Sequence, residues 1–457
     1  MYYDIERPAI SDYHPVAAVD PLIAMQKKMI WLYFLLLIFE GALRKWLLPG
    51  LATPLLVIRE PVAIMIILLS IRNGLFPANF YLNCMLLVGI FGFFTAIFAG
   101  HGSMAVALYG CRVMLLHFPL IFIIGATLNR QDVVQFGRIT LLIAIPMALL
   151  LVIQFYSPQS AWVNRGVGGD MAGAGFAGAL GYFRPPGTFS FTSGTTLFFS
   201  FSACFIFYFW FNPKLISKII LWLATAALLI AIPVSISRGL FFQVVIIMGF
   251  ALMASITSKA NIGKIFTAII AVVLIGLIFS QTPTFQTFIE AFVARFETAS
   301  SNEGGLQGTL GDRYLGNMLA ALTSAEELPL WGYGAGMGSN VGSMLLTGSL
   351  QYLVAEDEWG RMAGEFGPLL GLSIIILRLL LSWSFAVKAY QLMKKNDLMP
   401  WILLAFTLLI FPQGSTAQPT SLGFMVMIAG LLAASLKGET PDYNNASNPN
   451  HDYNHHP

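Results

Sequence analysis

Three arginines far apart in the chain stand in short, distinctive settings. Arg184 opens Arg-Pro-Pro-Gly-Thr-Phe, Arg238 is the centre of Ser-Arg-Gly, and Arg313 lies in Gly-Asp-Arg-Tyr. A guanidinium is always charged and grips phosphate oxygens in pairs. Three of them converging on one face would hold a diphosphate. Taken singly, each also suits an arginine at a helix end reaching for lipid headgroups. An acidic run, Glu356-Asp357-Glu358, follows them. A carboxylate at a half-dry site can serve as general base near neutral pH once its pKa is raised. Glu356 is the preferred candidate, with Asp357 and Glu358 as alternatives, although such a run is usually a solvated loop face. Arg112, Arg361, Glu365 and Arg59 form a second tier.

Other charges sit inside apolar stretches. Glu40 and Arg44 are four apart and share a helix face, and Arg59 and Glu60 follow. Charge inside a membrane span is functional by default, but the reading favoured for these is a clamp between helices, with the border of a cavity second. Arg112 has no partner near it in sequence, and His117 reads as a hydrogen-bonded core residue. Phe285, Phe288, Phe292 and Phe296 recur at helical spacing with Glu290, Arg295 and Glu297 between them. They predict an amphipathic helix at the interface, either packed on the bundle or acting as a lid. The run Gly332-Tyr333-Gly334-Ala335-Gly336 does not open a dinucleotide unit and reads as a tight turn. No His/Cys/Asp set has metal-ligand spacing, so neither a metal nor another cofactor is expected. The three cysteines, Cys84, Cys111 and Cys204, lie in apolar runs and suggest no disulfide framework.

The elements that must position these residues are membrane spans. Hydrophobic residues make up 57% of the 457 and charged ones 10%, where a soluble domain carries about 25% charge. The net charge of +3 is too small to indicate nucleic acid. About 20 apolar residues cross a bilayer. That ruler gives about twelve spans, near 29–48, 53–71, 80–99, 104–127, 134–156, 188–211, 216–235, 239–257, 262–280, 367–388, 398–413 and 417–436. The expected fold is therefore an all-α polytopic membrane protein, divided as follows: an N-terminal segment 1–28, helices 1–9 over 29–280, a large loop 281–366 before the tenth helix, helices 10–12 over 367–436, and a disordered tail 437–457. Lys27, Lys28, Arg72, Arg130, Arg138, Lys214, Lys218, Lys259, Lys264, Lys388, Lys394, Lys395 and Lys437 fall in every second connection or at its edge. That asymmetry predicts cytoplasmic N- and C-termini, with loops 157–187 and 281–366 outside.

The chain resembles the O-antigen ligase and O-antigen polymerase family of bacterial membrane glycosyltransferases, with a GT-C-like layout of many spans and one large outer loop. Four stretches carry the likeness: Arg184-Pro185-Pro186-Gly187-Thr188-Phe189; Ser237-Arg238-Gly239; Arg313 followed by Trp331-Gly332-Tyr333-Gly334-Ala335-Gly336; and Glu365-Phe366-Gly367 with Gly371. The ligases commonly carry a histidine before the Glu-x-Gly element. Here the position nine before Glu365 (365 − 9 = 356) is Glu356, a departure that points towards the polymerase side. The resemblance implies glycosyl transfer from an undecaprenyl-diphosphate-linked glycan at the outer face of the bacterial plasma (inner) membrane. The pathway would be exopolysaccharide or O-antigen assembly, beside a flippase or chain-length regulator. Arg184, Arg238 and Arg313 would hold the diphosphate and Glu356 would take the acceptor's proton, with no metal required. The rival reading is a secondary transporter or lipid flippase, in which the intramembrane charges line a path. No internal repeat supports it. A cell-wall polymerase of the shape, elongation, division and sporulation type is a third reading that the arginine motifs fit less well.

Overall fold

A computed structural model describes residues 21–256, 263, 270, 281–303 and 328–437, with the side chains of 298–303 excepted. Arg313, most of the expected ninth span, the first twenty residues and the tail from 438 onward lie outside the described residues.

Helices dominate. In chain order they are α1 (Pro21–Ala42), α2 (Ala52–Leu55), α3 (Arg59–Arg72), α4 (Phe80–Phe98), α5 (Met104–Arg112), α6 (Phe118–Thr127), α7 (Arg130–Tyr156), α8 (Thr192–Phe211), α9 (Lys218–Val234), α10 (Arg238–Ile256), α11 (Pro283–Glu303), α12 (Asn340–Thr347), α13 (Glu358–Lys394), α14 (Met399–Ile410) and α15 (Pro419–Ser435). Two π-helical turns interrupt them, Leu43–Leu47 after α1 and Val113–His117 between α5 and α6. Seven helices among the described residues are long and apolar enough to cross a membrane. An eighth span arises if the bent pair Pro49–Leu55 and Arg59–Arg72 counts as one. The protein is therefore an all-α polytopic membrane protein.

Eleven of the twelve expected spans coincide with described helices, but three of those are short: α9, α14 and α15. At 1.5 Å per residue the twelve residues of α14 reach about 18 Å, well under the hydrocarbon thickness of roughly 30 Å. α14 and α15 are buried almost throughout, against α8, α10, α6 and each other. They are central helices screened from lipid by their neighbours, so bilayer thickness does not set their length.

Contacts sort the connections into two ends of the bundle. At one end Lys27 pairs with Asp132 at 2.7 Å, Asn73 donates to Gln26, Arg130 pairs with Asp397, Arg138 donates to the Leu215 carbonyl, and Lys437 donates to the Ala126 carbonyl. At the other end Arg44 donates to Ser190 and to the Ala52 carbonyl, His101 bonds the Ala335 carbonyl, Arg361 donates to Thr416, and Ser193 donates to Gln418. The basic connections join at the first end. The 157–187 loop and the 328–357 segment join at the second.

Two boundaries differ from the sequence expectation. The 157–187 loop holds a hairpin, β1 (Phe176–Ala179) antiparallel to β2 (Tyr182–Arg184), with Phe176 opposite Arg184. Its turn residues Leu180 and Gly181 both have positive φ, 52° and 81°. That is the backbone a two-residue hairpin demands, but Leu is a rare occupant of it. A separate short helix over 358–366 precedes the helix expected from 367, capped by Asp357, which accepts from the Gly360 amide at 2.8 Å, and folded back so that Glu358 meets Arg378. Gly367 then breaks α13 with φ 74° and ψ 173°.

Candidate functional site

The Arg184 motif is held by side chains from several elements at the second end of the bundle. Lys45, carried on the π turn after α1, is 1% exposed and donates to the carbonyls of Gly187 and Phe189, each at 2.7 Å. Gln154 brackets the same glycine, accepting from the Gly187 amide at 2.8 Å and donating to its carbonyl at 3.2 Å. Thr188 donates to the Ile38 carbonyl and Thr195 to the Pro185 carbonyl. Four side chains from three helices and the motif itself thus fix the backbone that follows Arg184. The arginine itself, at the end of β2, is half-buried.

The Ser-Arg-Gly motif is a helix start. Ser237 accepts from the Leu240 amide at 3.3 Å and so caps α10. Arg238 is the first residue of that helix. Ile236, just upstream, has φ 46°, an uncommon backbone for a β-branched residue. Gly178 of β1 faces both Ile236 and the Arg184 side-chain stem: a Cβ there would meet Ile236 Cδ1 and Arg184 Cγ. The structure therefore brings Arg184 and Arg238 together. Burial first, then the nearby positive charges of Arg295 and Arg238, hold the Arg184 guanidinium below its ordinary pKa. Arg313, the third expected member, lies outside the described residues.

The acidic run separates into three different roles. Glu356 is exposed, where a half-dry setting was expected, and makes no hydrogen bond among the described residues. The chain ahead of it, from Gly348 to Gln351, is likewise exposed. Asp357 is occupied as the α13 cap. Glu358 is buried and wholly paired: it takes Arg361 at 3.0 Å, Arg378 at 2.8 Å, the Thr416 hydroxyl at 2.6 Å and the Thr416 amide at 3.1 Å.

Arg361 and Glu365 continue that network. Arg361 reaches Glu365 at 2.9 Å, and the Glu365 carboxylate also accepts the amides of Gly336 at 3.0 Å and Gly338 at 2.8 Å. The amides of Tyr333 and Gly334 cover the Gly364 and Glu365 carbonyls, which the break at Gly367 leaves without helix partners. The glycine-rich run and the Glu-x-Gly element are thus two halves of one knot. Two carboxylates and two guanidiniums make its charge neutral, which is how buried ions avoid a large desolvation cost.

A second buried network lies deeper. Glu40 binds Arg59 at 3.1 Å and Arg44 at 3.5 Å. Glu60 binds Arg112 at 3.0 Å and lies 3.7 Å from His117, whose Nδ1 stands 3.0 Å from the Tyr33 hydroxyl. Arg112 finds its partner 52 residues upstream, a pairing no local spacing could suggest. These contacts tie α1, α3, α5 and the second π turn together, as clamps do. Sequence reasoning missed Lys45, Gln154, Arg378 and Thr416. Lys45 was hidden as one more lysine near a helix end.

Comparison of the chain with protein-family models gives no match, and comparison with curated proteins gives none.

Proposed function

We propose that this protein is a polymerase- or ligase-like glycosyltransferase acting on a polyprenyl-diphosphate-linked oligosaccharide, of the O-antigen ligase and polymerase type and GT-C-like in layout. The hairpin end of the bundle is the outer face of the bacterial plasma membrane and both termini are cytoplasmic. One observation carries the reading: Arg184 and Arg238, distant in sequence, converge on the rim of that end, on backbone held by Lys45, Gln154 and the Ser237 cap.

In this mechanism Arg184, Arg238 and Arg313 bind the diphosphate. An acceptor hydroxyl attacks the anomeric carbon. The bond from that carbon to the diphosphate oxygen breaks, and the electron pair leaves with the diphosphate, whose charge the guanidiniums stabilise. The hydroxyl proton passes to Glu356, the one carboxylate of its run left without another task. Burial of Glu356 would come from bound glycan. The acceptor is a second lipid-linked chain in a polymerase, or a glycolipid or protein in a ligase. A flippase and a chain-length regulator of the same pathway are the expected partners. The transporter reading gains less, because the intramembrane charges at Glu40, Arg44, Arg59, Glu60 and Arg112 are engaged with one another.

The test is a deletion strain complemented with wild type, Arg238→Ala or Arg313→Lys. The expected outcome is an accumulated lipid-linked repeat unit in the deletion, with polymer restored by the wild type alone at equal membrane levels of protein. Normal polymer from both variants would remove the diphosphate role, and loss of solute uptake in its place would favour a carrier.

A further inference from the structure

The amphipathic helix α11 presents charge to the bundle selectively. Phe288, Ala291, Phe292 and Arg295 recur at spacings of three and four and share one face. Phe288 is 3% exposed and Ala291 fully buried, so that face is the inner one. Glu290 and Glu297 are exposed on the other side. The single described cation of the helix thus turns inward while both of these carboxylates turn outward, where solvation alone would turn all three outward.

Aromatic contacts fix where Arg295 arrives. Phe288 packs edge-on to Phe155, with ring centres 4.9 Å apart, and Phe155 stacks at 4.4 Å on Tyr182, two residues before Arg184. Phe292 and Phe296 each stand 6.0 Å from Phe241, three residues after Arg238. Arg295 lies between those two rings in sequence. The helix is therefore pinned at one point beside Arg184 and at another beside Arg238. The charge of Arg295 is near enough to Arg184 to repel it, more strongly than Arg238 does.

We infer that Arg295 is an anion-binding residue of the Arg184–Arg238 cradle, delivered by α11, and that its ligand is the diphosphate group of the lipid-linked substrate. The inference rests on the glycosyltransferase reading for the identity of that ligand. Arg184 and Arg295 gather like charge at a cost, and a dianionic group seated between them offsets it. Two guanidiniums from the hairpin and α10 together with a third from α11 present donors from three elements, which suits a group with two phosphoryl centres better than a single headgroup phosphate.

The test uses the full chain purified in detergent, titrated calorimetrically with inorganic pyrophosphate and separately with orthophosphate. Wild type should favour pyrophosphate by at least tenfold. Arg295→Ala should weaken pyrophosphate binding at least tenfold, Arg295→Lys should fall between, and Glu297→Gln should bind as wild type. Melting of each ligand-free variant checks that it is folded, and Arg295→Lys serves if Arg295→Ala is not. Unchanged binding in a folded Arg295→Ala overturns the inference and leaves the enzyme reading intact. Equal affinity for both anions assigns the cluster to lipid headgroups and also overturns it. Failure of the enzyme reading shows separately, as a deletion strain with no accumulated lipid-linked repeat unit.

Discussion

Glu356 and Glu358 are two positions apart and chemically alike, yet their surroundings assign them opposite parts. Glu358 sits between Arg361 and Arg378 with Thr416 closing the set, and all three charged side chains are at most 5% exposed. Glu358→Gln removes one charge from a neutral buried cluster: Arg361 keeps Glu365 but Arg378 loses its counterion, a change that typically costs about 3–5 kcal/mol. The expected result is a clear fall in melting temperature in detergent and reduced protein in the membrane. Glu356→Gln alters an exposed side chain with no described partner, so the melting temperature should stay at the wild-type value while polymer synthesis stops. Glu356→His should restore part of it. Full activity of folded Glu356→Gln would move the base to another residue. The residue scale was partly open in the sequence. The four-residue spacing of Glu40 and Arg44 announced their pairing, and their adjacency to apolar runs marked them as clamps. The partners of Arg112 and Glu358 were hidden, because Glu60 and Arg378 are brought close only by the packing of whole helices.

At the scale of elements, the short motifs divide into those the fold needs and those it does not. Gly367 has φ 74° and ψ 173°, a conformation essentially closed to L residues. A Cβ on it would also overlap the Leu330 carbonyl. Gly367→Ala should therefore cost at least the upper part of the ~1–3 kcal/mol such backbone strain carries, and it should release the glycine-rich segment from Glu365. Gly239 is different. It is exposed at the start of α10, and a Cβ there would come no closer than 3.7 Å to another side chain. Alanine is the better helix former by roughly 0.5–1 kcal/mol. Gly239→Ala should keep or raise the melting temperature, so any loss of polymer in that variant would mean that substrate approaches the backbone beside Arg238. Equal stability losses in both variants would show that the distinction is false. Helix positions were legible because apolar runs of bilayer length have few alternatives. The hairpin was not: Phe-Ala-Gly-Ala and Tyr-Phe-Arg alternate weakly, and Leu180 at φ 52° is a turn residue no composition rule favours. The start of α13 was available in principle from Asp357, a capping residue placed ahead of a helix.

For the whole molecule, the placement of the two ends matters more than the number of spans. Contacts alone group Lys27, Arg130, Arg138 and Lys437 at one end, and Arg44, Ser190, Ala335 and Thr416 at the other. The lysine and arginine asymmetry predicts a direction for that grouping across the membrane, with the basic end inside. Both ends can be marked in intact cells with single cysteines in a background lacking Cys84, Cys111 and Cys204, two of which are buried and the third half-buried. Met171 is 63% and Tyr352 70% exposed at the hairpin end, while Lys214 and Lys395 are exposed at the basic end. Met171→Cys and Tyr352→Cys should react with a membrane-impermeant maleimide added outside. Lys214→Cys and Lys395→Cys should react only after the membrane is opened. A diphosphate cradle reading from the outer leaflet requires that pattern, because Arg184 lies on the same loop as Met171 and α13, which follows Tyr352, carries the knot that holds the 328–357 segment. Labelling of the Lys214 and Lys395 positions from outside would invert the molecule, placing Arg184 and Arg238 in the cytoplasm, where a lipid-linked glycan already flipped outward cannot reach them.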